Sequence, residues 1–248
     1  MNDIIEIKNL KKIYYNKNGE TLAIKDLSLN IKEGEFIAFV GPSGCGKSTI
    51  LSILCGLENK SSGDIKIKEN IKLGYMLQQD SLFEWRNILD NCLLGLEINK
   101  NLSIENKKYV LNMLNNYGLK DFIYSYPDDL SGGMRQRCAL IRTLATKPNL
   151  LLMDEPFSAL DYQSRLVISD DIYKILKQEK KTMIMVTHDI AEAISMCDKV
   201  VVLSSRPATI KNIHNIELEK KSSPISNRKD KKFSYYYDKI WKDIDYNV

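Results

Sequence analysis

The chain has 248 residues, 36 Lys and Arg against 32 Asp and Glu, a formal net charge of +4 and 44% hydrophobic residues. That length suits one large α/β domain with a full core, or one domain with an inserted lobe, and so small a positive surplus gives no argument for nucleic acid. The five cysteines are scattered, with no Cys-x-x-Cys pair and no histidine cluster beside them, which excludes the patterns of a metal site, a redox motif or a disulfide framework.

Met1 to Glu6 lacks the basic-then-apolar pattern of a signal peptide, and no apolar run approaches the ~20 residues of a membrane span, so a protein kept inside the cell is expected. Ile4 to Leu10 reads as a short strand, and Leu27, Leu29 and Ile31 alternate as in a half-buried second one. Tyr14 and Tyr15 fall between them among lysines and asparagines, a composition that fits a solvated hairpin tip. Phe36 to Val40 reads as a buried strand leading into Gly41-Pro42-Ser43-Gly44-Cys45-Gly46-Lys47-Ser48-Thr49 and then a helix. Strand, glycine-rich turn and helix make a phosphate cradle: backbone N–H groups point inward and the helix N-terminus adds its positive dipole end. Lys47 is expected to reach the β- and γ-phosphates, and the Ser48 hydroxyl to ligate Mg²⁺. Cys45 lies in the loop, so bound ATP is expected to shield its thiol from reagents.

Asp64 to Lys68 reads as an edge strand, and Leu73 to Leu77 as a short strand ending at Gln78-Gln79. An amide there is either an ordinary loop residue or an oxygen ligand beside a metal-nucleotide site. From about Trp85 to Pro148 the pattern turns helical and no strand candidate appears. Within it Ser131 is a natural N-cap, followed by Gly132 and Gly133, which are costly in a first helical turn unless a ligand approaches the backbone. Leu150 to Met153 reads as a buried parallel strand ending in Asp154-Glu155, at the crevice where α/β sheets bind ligands. Asp154 can hold a metal through its water shell, and Glu155 can take a proton from an attacking water. A further strand, Thr182 to Val186, brings His188 level with this pair. Helix Ile190 to Met196 and strand Lys199 to Leu203 follow, then Ala208 to Lys211 and Ile213 to Leu218 as two more strand-like stretches. Lys220 to Lys232 reads as a solvated basic linker. Phe233, Tyr237, Ile240, Trp241 and Ile244 share one helical face, which fits a docked amphipathic helix and leaves membrane-surface or nucleic-acid contact as an alternative.

Taken together these residues resemble the nucleotide-binding subunit of an ABC transporter. The motifs stand in that family's order: P-loop (Gly41 to Thr49), Q-loop (Gln78), signature (Leu130 to Gln136), Walker B strand with its glutamate (Leu150 to Glu155), D-loop (Ser158 to Asp161) and switch histidine (His188). By position Tyr14 resembles the aromatic that stacks on adenine, with Tyr15 next in line. The segments Gln78 to Asn87 and Val202 to Pro207 are similar to the nitrate/sulfonate/taurine importer group, although Glu84 stands where that group usually has proline. Related uptake systems for thiamine-precursor pyrimidines stay open. The chain also ends before the extra regulatory domain seen in sugar-importer ATPases.

The resemblance implies an α/β P-loop NTPase fold, an ABC-type nucleotide-binding domain with an antiparallel β subdomain and an inserted α-helical lobe. The single domain 1–248 would divide into an ATP-binding core (1–84 and 148–218), a helical signature subdomain (85–147) and a basic linker with a C-terminal helix (219–248). It further implies a dimer, expected to be a homodimer, with two ATPs held head to tail between each P-loop and Ser131, Gly132 and Gly133 of the second subunit. Mg²⁺ is expected at Ser48, Gln78 and Asp154, with Glu155 as base, His188 at the γ-phosphate, and Lys47 and Gln78 completing the catalytic group. An integral-membrane permease is the expected partner, an external substrate-binding protein acts indirectly, no nucleic acid is expected, and the subunit is placed at the cytoplasmic face of the cell membrane. A non-transport ABC ATPase acting on a cytosolic macromolecule is the alternative. The cradle argument has a direct test: Lys47→Ala is expected to abolish nucleotide binding, measured by titration with a fluorescent ATP analogue, and undiminished affinity would refute it.

Overall fold

Leu150 to Met153 and Met183 to Val186 are apolar at every position, as are Phe36 to Val40, so these runs have no polar face to offer water and must be covered on both sides. The computed structural model describes residues 3–17, 19–158 and 160–244. Its strands are β1 (Asp3–Asn16), β2 (Gly19–Lys32), β3 (Phe36–Val40), β4 (Ser62–Ile67), β5 (Leu73–Met76), β6 (Leu150–Asp154), β7 (Thr182–Val186), β8 (Lys199–Leu203) and β9 (Ala208–Asn215). They form one sheet in the order β4-β1-β2-β9-β8-β3-β7-β6-β5. Strands β8, β3, β7, β6 and β5 run parallel, whereas β4, β1 and β2 form an antiparallel wing that joins them through β9. The helices are α1 (Lys47–Leu54), α2 (Ile88–Ile98), α3 (Ile104–Asn116), α4 (Gly132–Ala145), α5 (Tyr162–Gln178), α6 (Ile190–Met196), α7 (Pro224–Asn227) and α8 (Phe233–Asp243).

Alternation along the buried strands divides the interior in two. Phe36, Ala38, Leu151, Met153, Met183 and Met185 face one core, which α2 to α6 and α8 complete. Ile37, Phe39, Leu150, Leu152, Ile184 and Val186 face the other, closed by α1 and the antiparallel wing. Between β5 and β6 the chain is helical. Asn87 and Ser103 accept the N–H groups of Asp90 and Asn106, capping α2 and α3, and Ser131 accepts that of Met134 to start α4.

Four expectations need correction. Strand β1 does not stop at Leu10: breaks in its register against β2 after Ile7 and Leu10 interrupt the alternation and the ladder resumes to Asn16, so Tyr14 and Tyr15 lie in a strand and not at a hairpin tip. The two strand-like stretches after Pro207 are one strand, β9, whose middle carries the exposed Lys211 and Asn212. Residues 220–232 are not a free linker: Lys221 pairs with Asp198 at 2.7 Å, Pro224 and Asn227 are buried, and the Asn227 amide donates to Ser195 O at 2.7 Å. Helix α8 docks as the spacing predicts, with Ile240 and Ile244 buried, but Trp241 is half exposed and stacks on Tyr237. His214 on β9 meets Asp243 at 2.6 Å and latches the helix end. Residues 245–248 and Ala159, which belong to the expected C-terminal segment and D-loop, lie outside the described residues. No helix among the described residues is long and apolar enough to cross a membrane. Removing the α8 anchor by Ile240→Ala is expected to cost about 2–5 kcal/mol, read as a lower urea midpoint, while Trp241→Ala costs far less.

Candidate functional site

The parallel ladders bring the carboxyl ends of β3, β5, β6, β7 and β8 to one edge. Val40 lies opposite Val202, Phe39 opposite Val186, Asp154 opposite Val186 and Met76 opposite Met153. Each strand then delivers its next residues into the same crevice. Gly41 to Gly46 leave β3, and α1 begins at Lys47 with Gly46 at φ 121°. Cys45 N–H donates to Pro42 O at 3.3 Å with Gly44 at φ 71°, which makes Pro42 to Cys45 a type II turn that requires glycine at its third position. The Lys47 ammonium donates to Gly41 O at 2.8 Å and Pro42 O at 3.0 Å, leaving one of its three donors for a ligand. Ser43, Gly44, Gly46, Lys47, Ser48, Thr49, Gln78, Glu155 and Arg206 line a cleft of about 320 Å³.

Cys45 departs from expectation. Its side chain is 1% exposed, packs into the second core beneath the loop, and burial raises the pKa of its thiol. A thiol reagent therefore meets no accessible sulfur, and shielding by ATP is not a usable probe. Tyr14 stands at the edge of the site, its hydroxyl 3.4 Å from Thr49 Oγ1 and the Lys12 ammonium 4.5 Å from its ring centroid. Tyr15 is 71% exposed.

At the end of β6, Glu155 adopts φ 46°, a left-handed conformation that costs a non-glycine residue about 1–2 kcal/mol. It is held there by its N–H on Val186 O at 2.9 Å and by the Ser158 N–H and hydroxyl on its own carbonyl. The turn aims the carboxylate at two polar side chains: Gln78 Nε2 lies 3.3 Å from Glu155 Oε2, and His188 Nδ1 lies 3.3 Å from Glu155 Oε1. Asp154 beside it is buried; burial raises its carboxyl pKa, against the opposing hydrogen bond with Ser48. Its Oδ1 has no hydrogen-bond partner. A buried orphan acceptor next to a hydroxyl is the protein half of a hard-cation site. Among the described residues no group of three or more His, Cys, Asp or Glu could hold a metal ion alone.

Ser131, Gly132 and Gly133 are not in this cleft; they sit at the exposed start of α4. The link between that helix and the cleft was not legible beforehand. Arg135 grips Asp80 through Nε at 2.9 Å and Nη2 at 3.2 Å, and Arg142 donates to the carbonyls of Ser81 and Asp80 at 2.8 and 2.6 Å. Burial works against the Asp80 charge, yet Arg135 and the Leu82 N–H hold its carboxyl below the ordinary range. Beneath the His188 loop, Thr187 Oγ1 hydrogen-bonds the buried Glu192, and Asp189 Oδ1 accepts the Glu192 N–H while its Oδ2 meets Arg165 at 3.2 Å. Beyond Gln78, Trp85 is 76% exposed and stacks on Phe83 at 4.8 Å.

A family model described as ABC transporter matches residues 24–158. The uncharacterized ABC transporter ATP-binding protein YtlC of Bacillus subtilis is 43% identical over 97% of this chain and 95% of its own. The nitrate import ATP-binding protein NrtD of Synechocystis is 36% identical over 95% and 93%. The structure of the ATP-binding cassette MJ0796, a dimer bound to ADP and Pi, superposes with a TM-score of 0.77 at 30% identity and covers 86% of this chain and 99% of that one.

Glu192 supplies a test that needs no ligand. Burial pushes its carboxyl up to about 7 from 4.5, with Thr187 and the Arg165 and Arg228 charges opposing the rise and Asp189 adding to it. Between these values the folded protein keeps a proton that the unfolded chain has released, so stability falls as pH rises through the interval. Glu192→Gln is expected to flatten the melting temperature against pH from about 4.5 to about 7; an unchanged slope would place the titration elsewhere.

Proposed function

The chain belongs to the ABC transporter family as an ATP-binding, ATP-hydrolysing subunit, and from that premise we propose that it powers uptake of a small solute through a separate membrane permease. The observation that carries the reading is the convergence of Gln78 and His188 on Glu155 beside the phosphate loop. That arrangement places one carboxylate between an amide and an imidazole, where a water attacking the γ-phosphate would stand. Glu155 takes a proton from that water as the new P–O bond forms, and the bond from the γ-phosphorus to the bridging oxygen breaks to release ADP. Lys47 and the inward N–H groups of the loop spread the charge that develops, and His188 steadies the γ-phosphate. Ser48, Asp154 and Gln78 are the residues that would hold Mg²⁺, which when bound neutralises charge on the β- and γ-oxygens. Tyr14 stacks on the base.

Ser131, Gly132 and Gly133 complete the site from a second subunit. Their exposure at the start of α4 supports this reading, because a helix N-terminus with free N–H groups favours an anion brought to it. The subunit works as a dimer, expected to be a homodimer, with residues 85–147 as the lobe that moves on closure, residues 1–84 and 148–218 as the ATP-binding core and residues 219–248 as its C-terminal brace. The solute belongs to the nitrate, sulfonate and taurine class of anions or to the thiamine-precursor pyrimidines, delivered by an external binding protein. The subunit then sits at the cytoplasmic face of the membrane, held by its permease.

Glu155→Gln removes the proton acceptor and keeps the shape. It is expected to bind ATP, to hydrolyse it at least ~100-fold more slowly, and to accumulate as a dimer in size-exclusion chromatography with ATP. Full turnover by this variant would remove Glu155 as the base, and a monomer with ATP bound would remove the two-subunit site.

A further inference from the structure

Gly41 and Gly44 of the phosphate loop lie close against a segment to which the hydrolysis scheme assigns no part, and Gly46 is in ordinary contact with it. A Cβ on Gly41 would lie 3.0 Å from Leu203 O, one on Gly44 3.2 Å from Arg206 Nη2, and one on Gly46 3.6 Å from the Ala208 Cβ and 3.2 Å from Ala23 O. Residues 203–208, between β8 and β9, therefore back the loop along its length. The segment is braced within itself: Ser204 N–H donates to Thr209 O at 3.0 Å, Thr209 N–H to Ser204 Oγ at 3.0 Å, and Ser204 Oγ to Pro207 O at 3.1 Å. From this brace Arg206 donates Nε and Nη2 to Gly44 O at 3.1 and 2.9 Å. The same guanidinium lines the cleft with Lys47, Gln78 and Glu155.

Two cations thus hold the carbonyls of the loop, and they differ in what a polyphosphate does to them. Lys47 sits on Gly41 O and Pro42 O with one donor left for a phosphate, so its hold on the turn and its bond to a ligand draw on the same ammonium. Arg206 comes from the loop between β8 and β9 and bonds a carbonyl, that of Gly44, so its grip does not occupy the N–H groups of the turn. A guanidinium keeps its charge at all working pH values and offers two donors in a fixed fork, which suits a one-sided clasp on a carbonyl. We propose that Arg206 is a positioning residue for nucleotide binding: it holds the Pro42 to Cys45 turn in the phosphate-accepting shape independently of Lys47, and adds positive charge to the cleft. The proposal rests on the reading of this cleft as the ATP site.

The test compares Arg206→Ala, Arg206→Lys and Lys47→Ala, titrating each full-length protein with a fluorescent ATP analogue and following ATPase rate against ATP concentration. Arg206→Ala is expected to weaken binding about tenfold, the loss of a charge-assisted hydrogen bond, with the larger share of the defect in KM and the smaller in kcat. Arg206→Lys restores the charge and a single donor and recovers part of the affinity. A residue that served stability alone would lower the melting temperature of Arg206→Ala and leave the affinity of the folded protein unchanged; that result, with Lys47→Ala unable to bind, overturns the proposal. If Arg206→Ala does not fold, Arg206→Lys decides, and affinity indistinguishable from the unmodified protein overturns it. Normal binding by Lys47→Ala refutes the ATP-site reading itself, a failure distinct from that of Arg206.

Discussion

The register of four buried parallel strands is the constraint on which the rest depends. Each of β8, β3, β7 and β6 presents alternate side chains to two different cores, so a slip of one residue in any of them would exchange its two faces and bury the wrong volumes on both sides. The same register levels the strand ends, and the chemistry occurs at those ends. The phosphate loop, Asp154-Glu155, the Thr187 to Asp189 turn and the 203–208 segment are positioned by this core packing, to which they add only Cys45, Leu203 and Ala208. Their polar groups could not position themselves, because short loops of this kind are ordinarily solvated and variable. Packing energy from apolar strands is thus converted into sub-ångström placement of a carboxylate, an amide and an imidazole.

Much of the site could be read in the sequence because its parts are local. Gly41 to Thr49 carries its own strand, turn and helix, and Asp154-Glu155 and His188 each follow an apolar run whose end is unambiguous. What escaped is whatever depends on two distant segments meeting. Arg206 acts on Gly44 from 162 positions away, and nothing near Arg206 indicates that contact. Arg135 and Arg142 lie on a helix far along the chain from Asp80 and Ser81, yet they clasp them. Lys221 sits in a run of lysines that suggests solvent, but the partly buried Asp198 accepts Lys177, Lys221 and the Phe36 N–H. Cys45 misled in the opposite sense: membership of the loop implied access to the ligand, whereas the tight turn rotates its side chain into the core. Strand β1 was cut short because its bulges break the two-residue period by which strands are recognised.

The clasp between α4 and the segment after β5 ties that helix to the chain just beyond Gln78, one of the residues proposed as catalytic. Arg135 and Arg142 lie two turns apart on one helix and hold consecutive residues just beyond Gln78. A rotation of α4 must therefore carry the 80–81 segment with it and draw on Gln78, whose amide touches Glu155. The first turn of the same helix presents Ser131, Gly132 and Gly133. Events at that exposed end and at the carboxylate are joined by one helix and two arginine contacts, and Trp85 and Phe83 lie on the same stretch of chain.

The attachment of the antiparallel wing is narrow. Strand β2 pairs with β9 only at Ile24 with Ala208 and Asp26 with Thr209, across a break in register, while Tyr14 belongs to the wing and the phosphate loop to the parallel sheet. On the proposed reading of Tyr14, base and phosphates are held by two leaves of one sheet that meet at a two-pair backbone seam and over the shared second core.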